Sequence, residues 1–160
     1  MLKKKILTNL ASLLLLFLVF LAVDYWRSPP RHVAIPAQLY DLTGRAQNLH
    51  SPRPQLLYVW GSWCIFCRLT SPAVEGLAAD YPVVSVAWNS GSGPEVKRYM
   101  AAQGLHFPVV NDPEGRLTAA LGVKYTPTAI ILKDGKILYS TSGWSSGWGL
   151  RFRLWLAQHL

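Results

Sequence analysis

Two cysteines, Cys64 and Cys67, are the residues of this chain whose type and spacing could do chemistry. They are its only cysteines, and their Cys-x-x-Cys motif directly follows the apolar run 56–60 and a short turn. A structural metal site usually takes four ligands, so two isolated thiols favour reversible disulfide exchange over metal binding. The pair therefore predicts redox chemistry.

The two cysteines are expected to have different roles, because the residues from Cys64 onward recur with helical spacing. A cysteine at a helix N-terminus lies beside unpaired backbone N–H groups, which stabilise the thiolate that attacks a disulfide. Cys67 lies one turn further along, where it can close the disulfide and release a partner from the mixed disulfide. We therefore expect Cys64 to attack and Cys67 to resolve.

Other uses of the pair are less consistent with the sequence. A static disulfide that closes so short a loop removes little entropy from the unfolded chain, so it would stabilise weakly. Attachment of a c-type haem needs a histidine directly after the second cysteine, and here that residue is Arg68. Binding of Cu(I) by both thiolates, which are soft ligands, stays open as the alternative function.

The elements that must position this pair are predicted as alternating strands and helices. Apolar runs and turn residues predict strands or extended segments at 56–60, 83–88, 107–110, 129–132 and 137–141. Helical spacing predicts helices at 64–80, with Ser62 as N-cap and Pro72 inside, and at 94–103 and 117–121. A hairpin is expected within 33–49, and periodicity alone does not type 150–160. Parallel strands joined by helices indicate an α/β fold.

The N-terminus carries a candidate membrane anchor. Lys3 to Lys5 precede the apolar segment 6–23, which at 18 residues is long enough to cross a bilayer. No cleavage site with small residues follows, which favours an uncleaved anchor over a signal peptide. The positive-inside rule then predicts a cytoplasmic stub at 1–5 and a domain outside the bacterial inner membrane, in the periplasm. The proline-containing segment 24–32 is expected to be a stiff linker that holds this domain off the bilayer.

Charge and length limit the kinds of protein that the exported part could be. Residues 32–160 have the size of one domain and carry 11 basic and 7 acidic residues, a net charge of +4. These charges are scattered, so the sequence gives no reason to expect nucleic acid as a partner. The four histidines are also scattered and are expected to be surface residues. Neither a cofactor nor a resident metal is expected.

Further motifs around the cysteines resemble those of the thioredoxin superfamily. These are Trp63-Cys64-Ile65-Phe66-Cys67-Arg68 followed by Pro72, and Thr126-Pro127 ahead of an apolar strand. The segments 107–112 and 122–123 are similar to the membrane-anchored periplasmic branch of the TlpA and DsbE type. The tail 143–156 is similar to the suppressor-for-copper-sensitivity group of that branch. The resemblance covers residues 33–160.

This resemblance implies a thioredoxin-like domain at 33–160, a three-layer sandwich whose mixed central sheet is flanked by helices. It implies that Pro127 is a cis-proline lying against the cysteine pair and that the Thr126 backbone binds an extended substrate segment. Trp63 is expected to shield the pair and to form part of the docking surface.

The same resemblance implies a membrane-tethered thiol-disulfide oxidoreductase that acts on the disulfides of other periplasmic proteins. Its expected direction is reduction, supplied by an integral-membrane electron donor. A redox-dependent scaffold for cytochrome assembly is a further possibility, for which the chain has no distinguishing residue.

The chain departs from the superfamily at positions that matter for proton transfer. Thioredoxins carry a buried acid six residues before the first cysteine, where this chain has Tyr58, and the glutamate of some relatives is replaced by Thr70. No general acid or base is therefore assigned, and Glu75 is expected to be solvated. Among the aromatic residues, Trp60 is expected in the core, and three late tryptophans are expected to pack the terminal element onto the sheet: Trp144, Trp148 and Trp155.

Overall fold

The computed structural model describes residues 2–30 and 32–160. An N-terminal helix precedes a domain in which strands and helices alternate. In chain order the elements are α1 (Leu2–Arg27), β1 (Gln38–Tyr40), β2 (Ala46–Asn48), β3 (Gln55–Trp60), α2 (Ile65–Leu77), β4 (Val83–Trp88), α3 (Gly93–Ala102), β5 (Val109–Asp112), α4 (Arg116–Ala120), β6 (Thr128–Lys133), β7 (Lys136–Ser142) and α5 (Gly147–Gln158).

The central sheet has five strands in the order β5-β4-β3-β6-β7. β4 pairs parallel with both β3 and β5, whereas β6 pairs antiparallel with β3 and with β7. β1 and β2 form the separate hairpin predicted within 33–49. The α/β class predicted from the sequence is confirmed, and the sheet is mixed because the last two strands are joined by a tight turn rather than by a helix.

The central strand β3 is buried on both faces, and its alternating side chains divide the core in two. Leu56, Tyr58 and Trp60 lie in one cluster, with residues of α2, α3 and α5. Leu57 and Val59 lie in a second cluster on the other face, with Leu49 and Leu121 among others. This double burial explains why the segment appears in the sequence as a continuous apolar run. Trp60 lies in the core, as expected.

The tail that periodicity did not type is a helix, α5. Ser146 caps it by accepting a hydrogen bond from the Gly149 backbone N–H, at 3.2 Å from Oγ to N. Its buried face consists of Leu150, Leu154 and Ala157. The prediction for the late tryptophans is wrong, because these small and aliphatic residues fill the space over the sheet. The tryptophans are exposed instead: Trp144, Trp148 and Trp155.

Within the described residues, one helix is long and apolar enough to cross a membrane. Its candidate span is Asn9–Arg27, with a mean hydropathy of 1.9. The helix α1 continues past residue 23, where the predicted apolar segment ends, as far as Arg27. Residues 28–30 then lie against the domain, with Pro29 buried. Residues 24–30 therefore differ from the stiff linker expected from the prolines, because they contact the sheet instead of projecting from it.

Candidate active site: the Cys64–Cys67 disulfide

The cysteine pair lies where β3 ends and α2 begins. Cys64 and Cys67 form a disulfide, with their Cα atoms 5.2 Å apart. Cys64 is itself the N-cap of α2, and its Sγ accepts a hydrogen bond from the Cys67 backbone N–H at 3.1 Å. The prediction that Ser62 caps the helix is wrong. The cap is a sulfur atom, so the redox atom occupies the position that helix N–H groups stabilise.

The two sulfur-bearing residues differ in how far they can be reached. Cys64 is 6% exposed, whereas Cys67 is fully buried among the core residues of α2 and the sheet. A partner's thiol or disulfide can therefore approach Cys64 but not Cys67. Cys64 is therefore the reachable cysteine of the pair and Cys67 the internal one. The reachable cysteine is also the one whose sulfur accepts a backbone hydrogen bond.

Trp63 lies directly before the pair and is half exposed. Its ring covers Gly61 so closely that a Cβ atom on Gly61 would lie 2.7 Å from Trp63 Cε2. The ring also meets Trp88 edge to face, with centroids 6.0 Å apart. Trp63 is therefore held in place beside the disulfide by a glycine and a second aromatic ring.

A loop after β4 supports the chain entering the site, a contact that the sequence analysis does not predict. The Ser90 hydroxyl donates to the Trp88 carbonyl at 3.0 Å and accepts from the Ser62 backbone N–H at 2.9 Å. Ser90 thereby fixes the turn that carries Trp63 and Cys64. A single serine in a loop carries no sequence signal for this contact, because it depends on β4 pairing beside β3.

Tyr58 lies beneath the pair, at the position where thioredoxins carry a buried acid. Its hydroxyl is 3.0 Å from Ser71 Oγ and 3.4 Å from the Cys67 carbonyl oxygen. Burial raises the pKa of Tyr58 far above its ordinary value, so the phenol is neutral at physiological pH. Tyr58 can donate a hydrogen bond to the α2 backbone, but it supplies no charge to the site.

The Thr126–Pro127 segment lies at the same edge of the sheet. Its peptide bond is cis, Pro127 is buried, and Thr126 is half-buried. The next residue, Thr128, pairs with Val59, so the segment begins beside the end of β3. The Gly143 backbone N–H donates to the Pro127 carbonyl at 2.7 Å, which ties the segment to the residue after β7. Sheet pairing thus brings Pro127 and the cysteines to the same end of the central strands.

Exposed apolar side chains flank the reachable cysteine in the sequence. On α2, three of them point to solvent: Ile65, Phe66 and Leu69, between 54 and 61% exposed. Trp63, also exposed, adds to them on the other side of Cys64. Several exposed apolar residues in the segment that carries a reactive atom are typical of a surface that binds another protein.

Glu75 is not the solvated helical residue that the sequence suggested. Its carboxylate accepts hydrogen bonds from the backbone N–H groups of His106 and Phe107, at 2.8 and 3.3 Å. It also lies 3.1 Å from His106 Nδ1. Glu75 therefore ties α2 to the chain entering β5. The His106 side chain is exposed, as expected.

The described part of the chain contains no cluster of three or more histidine, cysteine, aspartate or glutamate side chains that could hold a metal ion. The two cysteines of the candidate site are joined to each other by a disulfide bond. A disulfide with one reachable sulfur atom is chemically capable of exchange with a thiol.

Comparison with known proteins agrees with this chemistry. The Redoxin family model matches residues 33–147. A thioredoxin-like protein of Haemophilus influenzae is 41% identical over 97% of this chain and 96% of its own length. The thiol:disulfide interchange protein DsbE of Xylella fastidiosa is 28% identical over 82% of this chain and 73% of its own length.

Solved structures give the same fold. The exposed lipoprotein thioredoxin of Streptococcus pneumoniae superposes with a TM-score of 0.64 and 25% identity. The match covers 74% of this chain and 97% of that one. The similarity therefore extends over nearly the whole of the other domain, whereas α1 lies outside the family match.

Proposed function

Because the chain belongs to the Redoxin family of the thioredoxin superfamily and is a thiol-disulfide oxidoreductase, we propose that it reduces protein disulfides through Cys64, with Cys67 as the resolving thiol. The observation that carries this assignment is the difference in exposure between the two cysteines. Cys64 can be reached by a partner, and Cys67 is fully buried behind it.

The proposed reaction begins with the reduced pair. The Cys64 thiolate attacks one sulfur of the substrate disulfide, and the other substrate sulfur leaves as a thiolate that takes up a proton. The Cys67 thiol loses its proton, attacks Cys64 Sγ and releases the second substrate thiol. Two electrons pass to the substrate, and the enzyme is left with the Cys64–Cys67 disulfide.

The residues around Cys64 support this sequence of steps. The Cys67 backbone N–H, which reaches Cys64 Sγ, stabilises the attacking thiolate. No carboxylate takes the place of the buried acid, since Tyr58 is neutral, and we propose that the proton of Cys67 leaves through water. The exposed apolar residues near Cys64 and the Thr126–Pro127 segment are proposed to bind the substrate chain, with Trp63 beside the sulfur.

We further propose that α1 is an uncleaved anchor, with the domain in the periplasm. Its apolar length supports this location, as do the lysines that precede the apolar segment 6–23 in the sequence and the lack of a cleavage site with small residues. A tethered reductase must be re-reduced in the same compartment, so its electron donor is proposed to be an integral-membrane protein. Its substrates are proposed to be periplasmic proteins with disulfides.

Reduction of insulin disulfides by the full-length protein tests the proposal. With a dithiol as electron source, the wild-type protein should accelerate insulin reduction, and Cys64→Ser should not. Cu(I) titration against a competing chelator should show weak binding without fixed stoichiometry. Tight one-to-one Cu(I) binding by a protein that exchanges no disulfides would instead support the copper-binding alternative.

A further inference from the structure

The outer end of α1 is bound to the last strand of the sheet. Asp24 Oδ1 accepts a hydrogen bond from the Thr141 hydroxyl at 2.7 Å and one from the Ser142 backbone N–H at 3.3 Å. The Ser142 hydroxyl lies 3.2 Å from the Arg27 carbonyl oxygen, to which it donates. A helix that served only as a tether would need none of these contacts.

The residues after α1 continue the attachment. The Ser28 hydroxyl donates to the Ser140 carbonyl at 3.1 Å, and the Ser140 hydroxyl donates to the Pro29 carbonyl at 3.3 Å. Pro30 lies so close to Gly122 that a Cβ atom there would be 3.0 Å from Pro30 Cδ. Residues 24–30, which we call the juxtamembrane bracket, therefore hold the domain at several points.

The bracket lies at the same end of the sheet as the redox site, where β3 ends. Ser142 pairs with Thr128, and Thr128 pairs with Val59 near the end of β3. At a spacing of about 4.8 Å between strands, β7 lies only about 10 Å from β3. The Arg27 guanidinium also lies 4.6 Å above the ring centroid of Tyr125, the residue before Thr126.

Exposed aromatic residues lie at the outer end of α1, where a membrane anchor would leave the bilayer. Tyr25 and Trp26, at the end of the apolar stretch of α1, are 82 and 79% exposed. Such residues are enriched where a membrane helix meets the headgroups. Trp144 is also exposed and follows Ser142 by two residues, within about 7 Å along an extended chain. The bracket thus joins the active-site edge to the part of α1 that meets the bilayer surface.

We propose that the juxtamembrane bracket fixes the Cys64–Cys67 pair close to the membrane surface, so that the dithiol which reduces it is one presented at that surface by a membrane-embedded partner. This inference rests on the proposed anchoring of α1. It makes Asp24 and Arg27 positioning residues for exchange with the partner. Neither residue takes part in the chemistry at the sulfur atoms.

The test compares two dithiols that reduce the same disulfide. Full-length protein is reconstituted in vesicles of phosphatidylethanolamine and phosphatidylglycerol. One probe is a dihydrolipoyl group on a phosphatidylethanolamine headgroup, and the other is soluble dihydrolipoamide. In each case a probe thiolate attacks Cys64 and Cys67 leaves. The second probe thiol then closes the probe's own disulfide, so that two electrons and two protons pass to the enzyme.

The quantity measured is the ratio of the two reduction rates, lipid-bound over soluble. For the Asp24→Ala/Arg27→Ala variant, this ratio should fall at least about fivefold, because loss of orientation lowers the effective concentration of the surface dithiol. The soluble rate should stay near that of the wild type. Asp24→Asn keeps an oxygen that can accept both hydrogen bonds, so it should retain most of the ratio.

The matched control is Asp80→Ala/Arg53→Ala, which removes one acid and one base near the opposite edge of the sheet and should keep the wild-type ratio. Thr141→Val removes a bracket hydrogen bond from the domain side and serves as a second variant should the first fail to fold. Wild-type ratios in Thr141→Val and in the Asp24→Ala/Arg27→Ala variant would overturn the inference. A disulfide that neither probe reduces would contradict the oxidoreductase proposal itself.

Discussion

Replacement of Tyr58 by phenylalanine should destabilise the protein by a definite amount, because one buried hydroxyl is removed while the ring stays. That hydroxyl is 3.0 Å from Ser71 Oγ and 3.4 Å from the Cys67 carbonyl. The ring packs edge to face on Phe107, with centroids 6.1 Å apart, and this contact is kept. The lost hydrogen bond costs about 1 kcal/mol, and a Ser71 hydroxyl left without its partner adds to this. We expect a total loss of about 1–2 kcal/mol in the free energy of unfolding.

Ser71→Ala should cost a similar amount, and the double variant should cost less than the sum. The two hydroxyls bond to each other, so the coupling energy should be about 0.5–1.5 kcal/mol. Urea unfolding of the oxidised full-length protein in micelles, followed by tryptophan fluorescence, measures all three variants against the wild type.

The pH dependence gives an independent check of the same contact. Burial raises the pKa of Tyr58 above the value of about 10 for an exposed tyrosine, so the folded state favours the neutral phenol. This contribution to stability is fully present below pH 10 and is lost as the pH rises above 10, with a slope of up to about 1.4 kcal/mol per pH unit. Tyr58→Phe lacks this slope, so its deficit relative to the wild type should shrink above pH 10. A deficit that stays constant between about pH 8 and 11, or no deficit at all, would refute the reasoning.

Two further predictions concern the surroundings of the pair. Gly61→Ala places a Cβ atom 2.7 Å from the Trp63 ring, so the ring must move; we expect slower insulin reduction, with an unchanged rate for the soluble dithiol as control. Equal losses with both substrates would show that the ring does not act in protein docking. Glu75→Ala removes the acceptor of two backbone N–H groups and should lower the free energy of unfolding by about 1–3 kcal/mol without changing the rate of insulin reduction. Unchanged stability would contradict the role assigned to this carboxylate.

Much of the fold could be predicted because its signals are local. β3 and β4 appear as continuous apolar runs, and the turn Lys133-Asp134-Gly135-Lys136 marks the β6–β7 hairpin. The cysteines could be identified from their spacing alone. The cap of α2 could not, because Ser62 is the usual type of capping residue and a sulfur atom is not.

The remaining features depend on contacts between distant segments. Asp24 meets Thr141 across 117 positions, and Ser90 meets Ser62 through the pairing of two strands. No periodicity in one segment reports such a contact. Aromatic residues near the end of a small domain usually pack the terminal helix onto the sheet, which is why the sequence predicts this role for Trp148 and Trp155. The buried face of α5 consists of leucine and alanine instead, and both tryptophans are exposed.

The assignment of Cys64 as the attacking residue and Cys67 as the resolving one is tested most directly by trapping mixed disulfides in intact cells. Cys67→Ser leaves the reachable thiol without its resolving partner, so it should accumulate disulfides with periplasmic proteins that mass spectrometry locates at Cys64. Cys64→Ser leaves only a fully buried thiol and should trap almost nothing. Equal trapping by both variants, or trapping only by Cys64→Ser, would contradict the account.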